Sequence, residues 1–177
     1  MKFIDKNQKG FTFIEILVAL GIFGLVAAAA SGTIVQVIQS SRSTEHMTAL
    51  RQVQTAGYWV SHDGVQAQQV TTSTAPGFPF TFTWTDWDDN DAHEVEYSLQ
   101  DMAAGDLDYL QRKEVVNGEA ANPIIAIVGQ YIDPDNTLCE PFAQDLGGGE
   151  TLTFTVTAKM NQQTETRTYE IKPRALL

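Results

Sequence analysis

The hydrophobic rhythm of the chain changes twice. From Phe11 to Ile38 it reads FTFIEILVALGIFGLVAAAASGTIVQVI, 28 residues carrying one charge, Glu15. Polar residues do not return every third or fourth position, as they do on a surface helix. A helix of this length spans about 42 Å, more than the ~30 Å hydrocarbon layer of a bilayer. The run predicts a membrane-inserted helix over 11–38.

Residues 39–46, QSSRSTEH, are polar on all sides. A stripe then begins at Met47, Leu50, Val53, Ala56 and Val60, with Ala49 and Trp59 flanking it. That spacing is one face of a helix. The two segments predict one helix from Thr12 to Asp63, about 75 Å long. Its amphipathic continuation covers 39–64, with Gly64 as the C-terminal stop.

Past residue 64 the period falls to two. Phe80 to Thr85 alternates strictly, with Phe80, Phe82 and Trp84 on one face. His93–Leu99 alternates through Val95, Tyr97 and Leu99. Further strands are predicted at Leu107–Lys113, Ile124–Ile132, Thr151–Ala158 and Thr166–Lys172. Leu152, Phe154, Val156 and Ala158 form one buried face, and Tyr169 and Ile171 another. Thr-rich alternation with aromatics marks a half-solvated antiparallel sheet. The last two strands read as a hairpin with a longer loop over Lys159–Glu165. Loops fall at Ala75-Pro76-Gly77, Asp133-Pro134-Asp135-Asn136 and Gly147-Gly148-Gly149. The expected fold class is α+β: a long N-terminal helix packed on a β-rich domain over 65–177.

Charge adds direction. The whole chain carries 11 Lys and Arg against 22 Asp and Glu, a net −11. The first ten residues, MKFIDKNQKG, hold Lys2, Lys6 and Lys9 against Asp5, so the remainder stands at −13. Positive charge stays on the cytoplasmic side, which places the N-terminus inside and the bulk of the chain outside. So acidic a body repels phosphate backbones, and no nucleic acid is expected by direct charge attraction. One cysteine, Cys139, excludes an intrachain disulfide framework and a Cys-rich zinc site.

The junction Lys9-Gly10-Phe11-Thr12-Phe13-Ile14-Glu15 joins a short basic leader ending in Gly to an aromatic residue. An apolar run follows, broken by one Glu. It resembles the prepilin leader of bacterial type IV pilins and type II secretion pseudopilins. That resemblance implies cleavage of residues 1–10 after Gly10 by prepilin peptidase and N-methylation of Phe11. It also implies a lollipop-shaped subunit without enzymatic activity. Its partners would be a major pilin or pseudopilin, other minor subunits and an inner-membrane assembly platform, with membrane lipid around the helix before assembly. Glu15 gives independent support. A carboxylate within a membrane helix costs about 2.5–3.5 kcal/mol even on lenient scales. A neighbour's Phe11 amine would offset that cost and fix the axial register of a filament. Snorkelling of Glu15 to the interface is the plainer account.

Two other readings of the N-terminus remain. In one, Ile16–Val26 is the apolar region of a secretory signal cut after Ala28-Ala29-Ala30; in the other, the helix is an uncleaved anchor. Either would make the chain a secreted or membrane-anchored binding domain without a filament. Against the signal, apolar character continues through Ile34, Val35, Val37 and Ile38. Gly21, Gly24 and Gly32 permit close helix packing in a membrane. In the pilin family such a stretch loses helicity in the filament, and Gly24–Gly32 is the natural place for it. The C-terminal body looks more loosely like the minor pseudopilin J group, through a hairpin over Glu94–Val115. A lone Cys139 speaks against a typical adhesive major pilin.

Catalytic patterns of the G-x-S-x-G, H-E-x-x-H and P-loop types do not occur. His46, His62 and His93 lack metal-type spacing and read as exposed positions. Asp86, Asp88 and Asn90 place oxygen ligands at alternate positions, which suits calcium. Asp91 and Tyr97 stand where an EF-hand needs Gly and Glu, so a solvated turn is the competing account. Trp84, Trp87 and Phe82 near this cluster offer an aromatic face for a sugar, although core packing accounts for Trp84.

Overall fold

The computed structural model describes residues 10–103, 105–147 and 150–174. Most of the expected leader, residues 1–9, and two glycines of the expected loop, Gly148 and Gly149, lie outside them. Contacts divide the chain into two compact units, 1–43 and 44–177. One helix, α1 (Phe13–Gln66), runs through the boundary.

In the first unit every described side chain is exposed, including Leu17, Ile22, Phe23 and Val26. The helix is long and apolar enough to cross a membrane, with a window of mean hydropathy 2.4, none of it buried. Ser31 and Thr33 donate their hydroxyls to the carbonyls of Ala27 and Ala29, at 2.8 and 3.1 Å. Both hydroxyl protons are thereby satisfied inside the helix, which hydrocarbon demands.

In the second unit, α1 from residue 44 to 66 packs on an antiparallel sheet. Its strands are β1 (Gln69–Thr72), β2 (Phe80–Thr85), β3 (Ala92–Asp101), β4 (Asp108–Val116), β5 (Ile124–Ile132), β6 (Leu138–Glu140), β7 (Asp145–Leu146), β8 (Leu152–Met160) and β9 (Gln163–Ile171). The order is β6-β8-β5-β4-β3-β2-β1-β7, with β9 beside β8. The expected α+β class is therefore the observed one. The core joins Val53, Ala56 and Val60 of the helix to Phe80, Phe82, Val95, Tyr97, Leu110, Leu152 and Phe154 of the sheet.

Several expectations shift in detail. The helix does not stop at Gly64 but continues to Gln66. Gly64 serves packing instead: a methyl there would run into Ile171. The buried stripe is Ala49, Val53, Ala56, Gly57, Val60, Asp63 and Gly64, so Met47 lies off it and is exposed. The β8–β9 loop is short, because Met160 pairs with Gln163 and leaves a two-residue turn at Asn161, φ 52°. Within the Asp133–Asn136 loop, Pro134–Asn136 forms one 3-10 turn capped by Asp133.

Candidate functional site

Charged and polar groups gather at two places, one built locally and one from residues far apart in the chain. The first is the start of α1. Thr12 is the last residue before the helix, and Glu15 stands in its first turn. Thr12 N and Thr12 Oγ1 both donate to Glu15 Oε2, each at 2.9 Å. Glu15 N donates back to Thr12 Oγ1 at 3.3 Å. This is a reciprocal cap in the Thr-x-x-Glu pattern, and it satisfies two amide donors that a helix start otherwise leaves open. Gly10 and Phe11 lie just before it, both exposed, with nothing crowding Gly10. Gly21, Gly24 and Gly32 lie within regular helix, and nothing occupies the space a Cβ would take at any of them.

Residues 5–31 match the family described as the prokaryotic N-terminal methylation motif. That match supports the type IV pilin and pseudopilin family. It spans the Gly10–Phe11 junction, Glu15 and the first three quarters of the apolar run, and stops short of the second unit. No curated protein and no solved structure is a significant match to the chain. The motif supports a prepilin-processed chain, and with the apolar helix it supports anchoring through a single N-terminal segment.

The second place is a run of charged side chains inside the 44–177 unit. Asp63 of α1 accepts from Arg112 Nε at 2.6 Å, from Arg112 Nη2 at 3.2 Å and from Tyr97 Oη at 2.5 Å. Arg112 Nη1 reaches Glu114 Oε2 at 2.8 Å, and the guanidinium lies 5.3 Å over the Trp59 ring. Glu114 Oε1 in turn meets His93 Nδ1 at 2.9 Å, while His93 Nε2 faces Asp86 Oδ2 at 3.2 Å. Helix, two central strands and the β2–β3 turn are thus tied by one chain of contacts.

The electrostatics follow from burial and pairing. Burial, the Asp63 charge and the hydrogen bond to it push the Tyr97 hydroxyl far above the usual phenol range. Burial opposes the charge on Arg112, but its bonds to Asp63 and Glu114 outweigh this and hold the guanidinium above its ordinary value. Burial also raises Glu114, yet the hydrogen bonds from Arg112 and His93 win and leave its carboxyl lower than usual. Burial pushes the Cys139 thiol up, which fits a small core residue rather than a nucleophile.

His46 and His62 are exposed as expected; His93 is not. Its side chain is 16% exposed and stacks on Trp84 at 5.0 Å and 5°. Among the residues proposed for calcium, Asp86 is engaged by His93 and Asn90 takes φ 62° in the turn. Among the described residues no group of three or more His, Cys, Asp or Glu comes together to hold a metal. The expected aromatic face separates: Trp84 and Phe82 are buried, whereas Trp87 is exposed beneath Arg174, 5.5 Å from its ring. The Asp63–Arg112 pair escaped the sequence reading. Its signal is a carboxylate on the helix stripe at 53, 56, 60 and 63, matched by an Arg two residues after inward-facing Leu110.

Proposed function

We propose that this chain is a structural subunit, a minor pilin or pseudopilin, of a type IV pilus or type II secretion-like filament. The methylation-motif match over residues 5–31 carries the reading, because it coincides with a helix whose apolar side chains find no burial in their own unit. Prepilin peptidase cuts after Gly10, and the Phe11 amine so released is methylated. The domain over 65–177 lies outside the cytoplasmic membrane, and the helix over 11–38 leaves lipid to pack among the helices of other subunits. Glu15, already oriented by Thr12, offers its second oxygen to a neighbour's Phe11 amine. The β3–β4 hairpin and the single buried Cys139 favour a minor subunit of the pseudopilin J kind over a disulfide-looped major pilin. Nothing in this reading requires enzymatic activity or a cofactor.

The mass of the N-terminal peptide of protein recovered from its native membrane tests it. Methylated Phe11 as the first residue is expected. Ser31 as the first residue would overturn the proposal and leave a secreted domain. An intact leader in a cell that processes its other prepilins would leave a membrane-anchored binding domain.

A further inference from the structure

His93 stands with both ring nitrogens against carboxylates, Glu114 Oε1 on one side and Asp86 Oδ2 on the other. A neutral imidazole has one N–H, so it donates to one carboxylate and turns a lone pair toward the other. Only the imidazolium donates to both. One face of the ring stacks parallel on Trp84, its cross-strand partner on β2, which limits how far it can turn away.

Charged groups reach His93 from three elements. The β2–β3 turn presents Asp86, with Asp88, Asp89 and Asp91 following; β4 presents Glu114; β3 itself carries Glu94. On β4 the cation is Arg112, whose guanidinium is already committed to Asp63 and Glu114, and at the turn itself Arg174 lies over the Trp87 ring. Beyond Arg112 lie Asp63, the neutral Tyr97 and the Trp59 ring. Among the described residues, the ion pair recorded for Asp86 is with His93. The far end of the turn is held separately, by Asn117 Nδ2 donating to Asp91 Oδ1 at 2.6 Å.

We infer that His93 is a proton-operated latch: charged, it ties Asp86 of the β2–β3 turn to Glu114 of β4, and on losing its proton it frees the Asp86–Trp87 end of that turn. Glu114 keeps Arg112 when the ring is neutral, so the connection to α1 survives while the turn is released. What changes with pH is how firmly the turn is held at the Asp86 side chain, since the Asp86 amide bond to the Asp91 carbonyl and the Arg174 contact over Trp87 do not involve His93.

The test uses the full chain in detergent micelles. Ring resonances of His93 give its titration, and amide exchange at residues 86–91, corrected for intrinsic rates, gives the state of the turn. Exchange there is expected to rise severalfold in step with loss of the His93 proton, while exchange in β4 stays flat. His93→Gln, which cannot charge, should hold the turn at the high-pH rate throughout. Asp86→Asn should do the same with the core untouched, since the Asp86 side chain is 47% exposed. Exchange at 86–91 that stays flat while wild-type His93 titrates would overturn the inference. So would a pH step that persists in the well-folded Asp86→Asn protein.

Discussion

The ring of Tyr169 occupies the space where a side chain at position 57 would begin. Gly57 sits on the buried face of α1, and Tyr169 reaches across it to donate its hydroxyl to the carbonyl of Val53 at 3.1 Å. Helix and β9 meet closely because residue 57 has no Cβ. Gly57→Ala improves helix propensity by about 1 kcal/mol but forces the ring aside. Overpacking costs about 1–3 kcal/mol, so a net loss in thermal stability is expected. Combining it with Tyr169→Leu should recover part of that loss; equal stability of Gly57→Ala and wild type would refute the close approach.

Asp63 and Arg112 are expected to be strongly coupled. Removing one partner of a buried pair costs about 3–5 kcal/mol, because the other charge is left unpaired. Asp63→Leu and Arg112→Met should each show losses of that order in denaturant melts. The double variant should fall well short of their sum. Additive losses would mean that the pair contributes little beyond its packing.

Acid and alkali should act through different groups. Glu114 is held below its usual 4.5 in the fold, so the stability it contributes is present above that value and lost as pH falls through its folded value. Glu114→Gln should flatten the acid limb. Tyr97 is raised above its usual 10.0, so its contribution is present below that pH and declines as pH rises beyond it, by at most about 1.4 kcal/mol per unit. Urea midpoints across pH, compared with Tyr97→Phe, measure the alkaline limb.

On the proposed function, substitutions at Thr12 and Glu15 are expected to separate insertion from assembly. Glu15→Leu should leave membrane insertion intact and block entry into filaments, as read by sheared-filament yield. Thr12→Val removes the cap while keeping the carboxylate. Loss of a helix cap costs about 1 kcal/mol, so a partial loss of incorporation is expected. Normal filament yield with Glu15→Leu would refute the pairing of Glu15 with the Phe11 amine.

Much of this was legible in the sequence, and the gaps have physical reasons. β2 was read with its observed bounds because alternation persists over the whole strand, and β5 likewise because its apolar run from Ile124 to Val128 is unbroken. β1, β6 and β7 are four, three and two residues long, too short for a period of two to show. The helix stripe was read correctly at Val53, Ala56 and Val60 but incompletely, because three of its buried positions, Gly57, Asp63 and Gly64, are not hydrophobic. Two are buried by the absence of a side chain and one by an ion pair. The Thr-x-x-Glu cap was printed at the N-terminus, but the charge of Glu15 drew attention to a distant partner rather than to Thr12. His93 looked exposed because its partners lie 7 and 21 residues away, a proximity that only the sheet creates.

The uncovered apolar half of α1 has a thermodynamic consequence for any traffic between lipid and a helix bundle. Moving that half from one dry host to the other leaves its contact with water unchanged, so the hydrophobic driving force for the transfer is close to nil. Partitioning is then poised, and small contributions such as one carboxylate finding one amine decide its direction. On the proposed function, the bilayer would keep such a subunit in reserve at almost no energetic disadvantage. It can be drawn out or returned by whatever machinery biases the exchange.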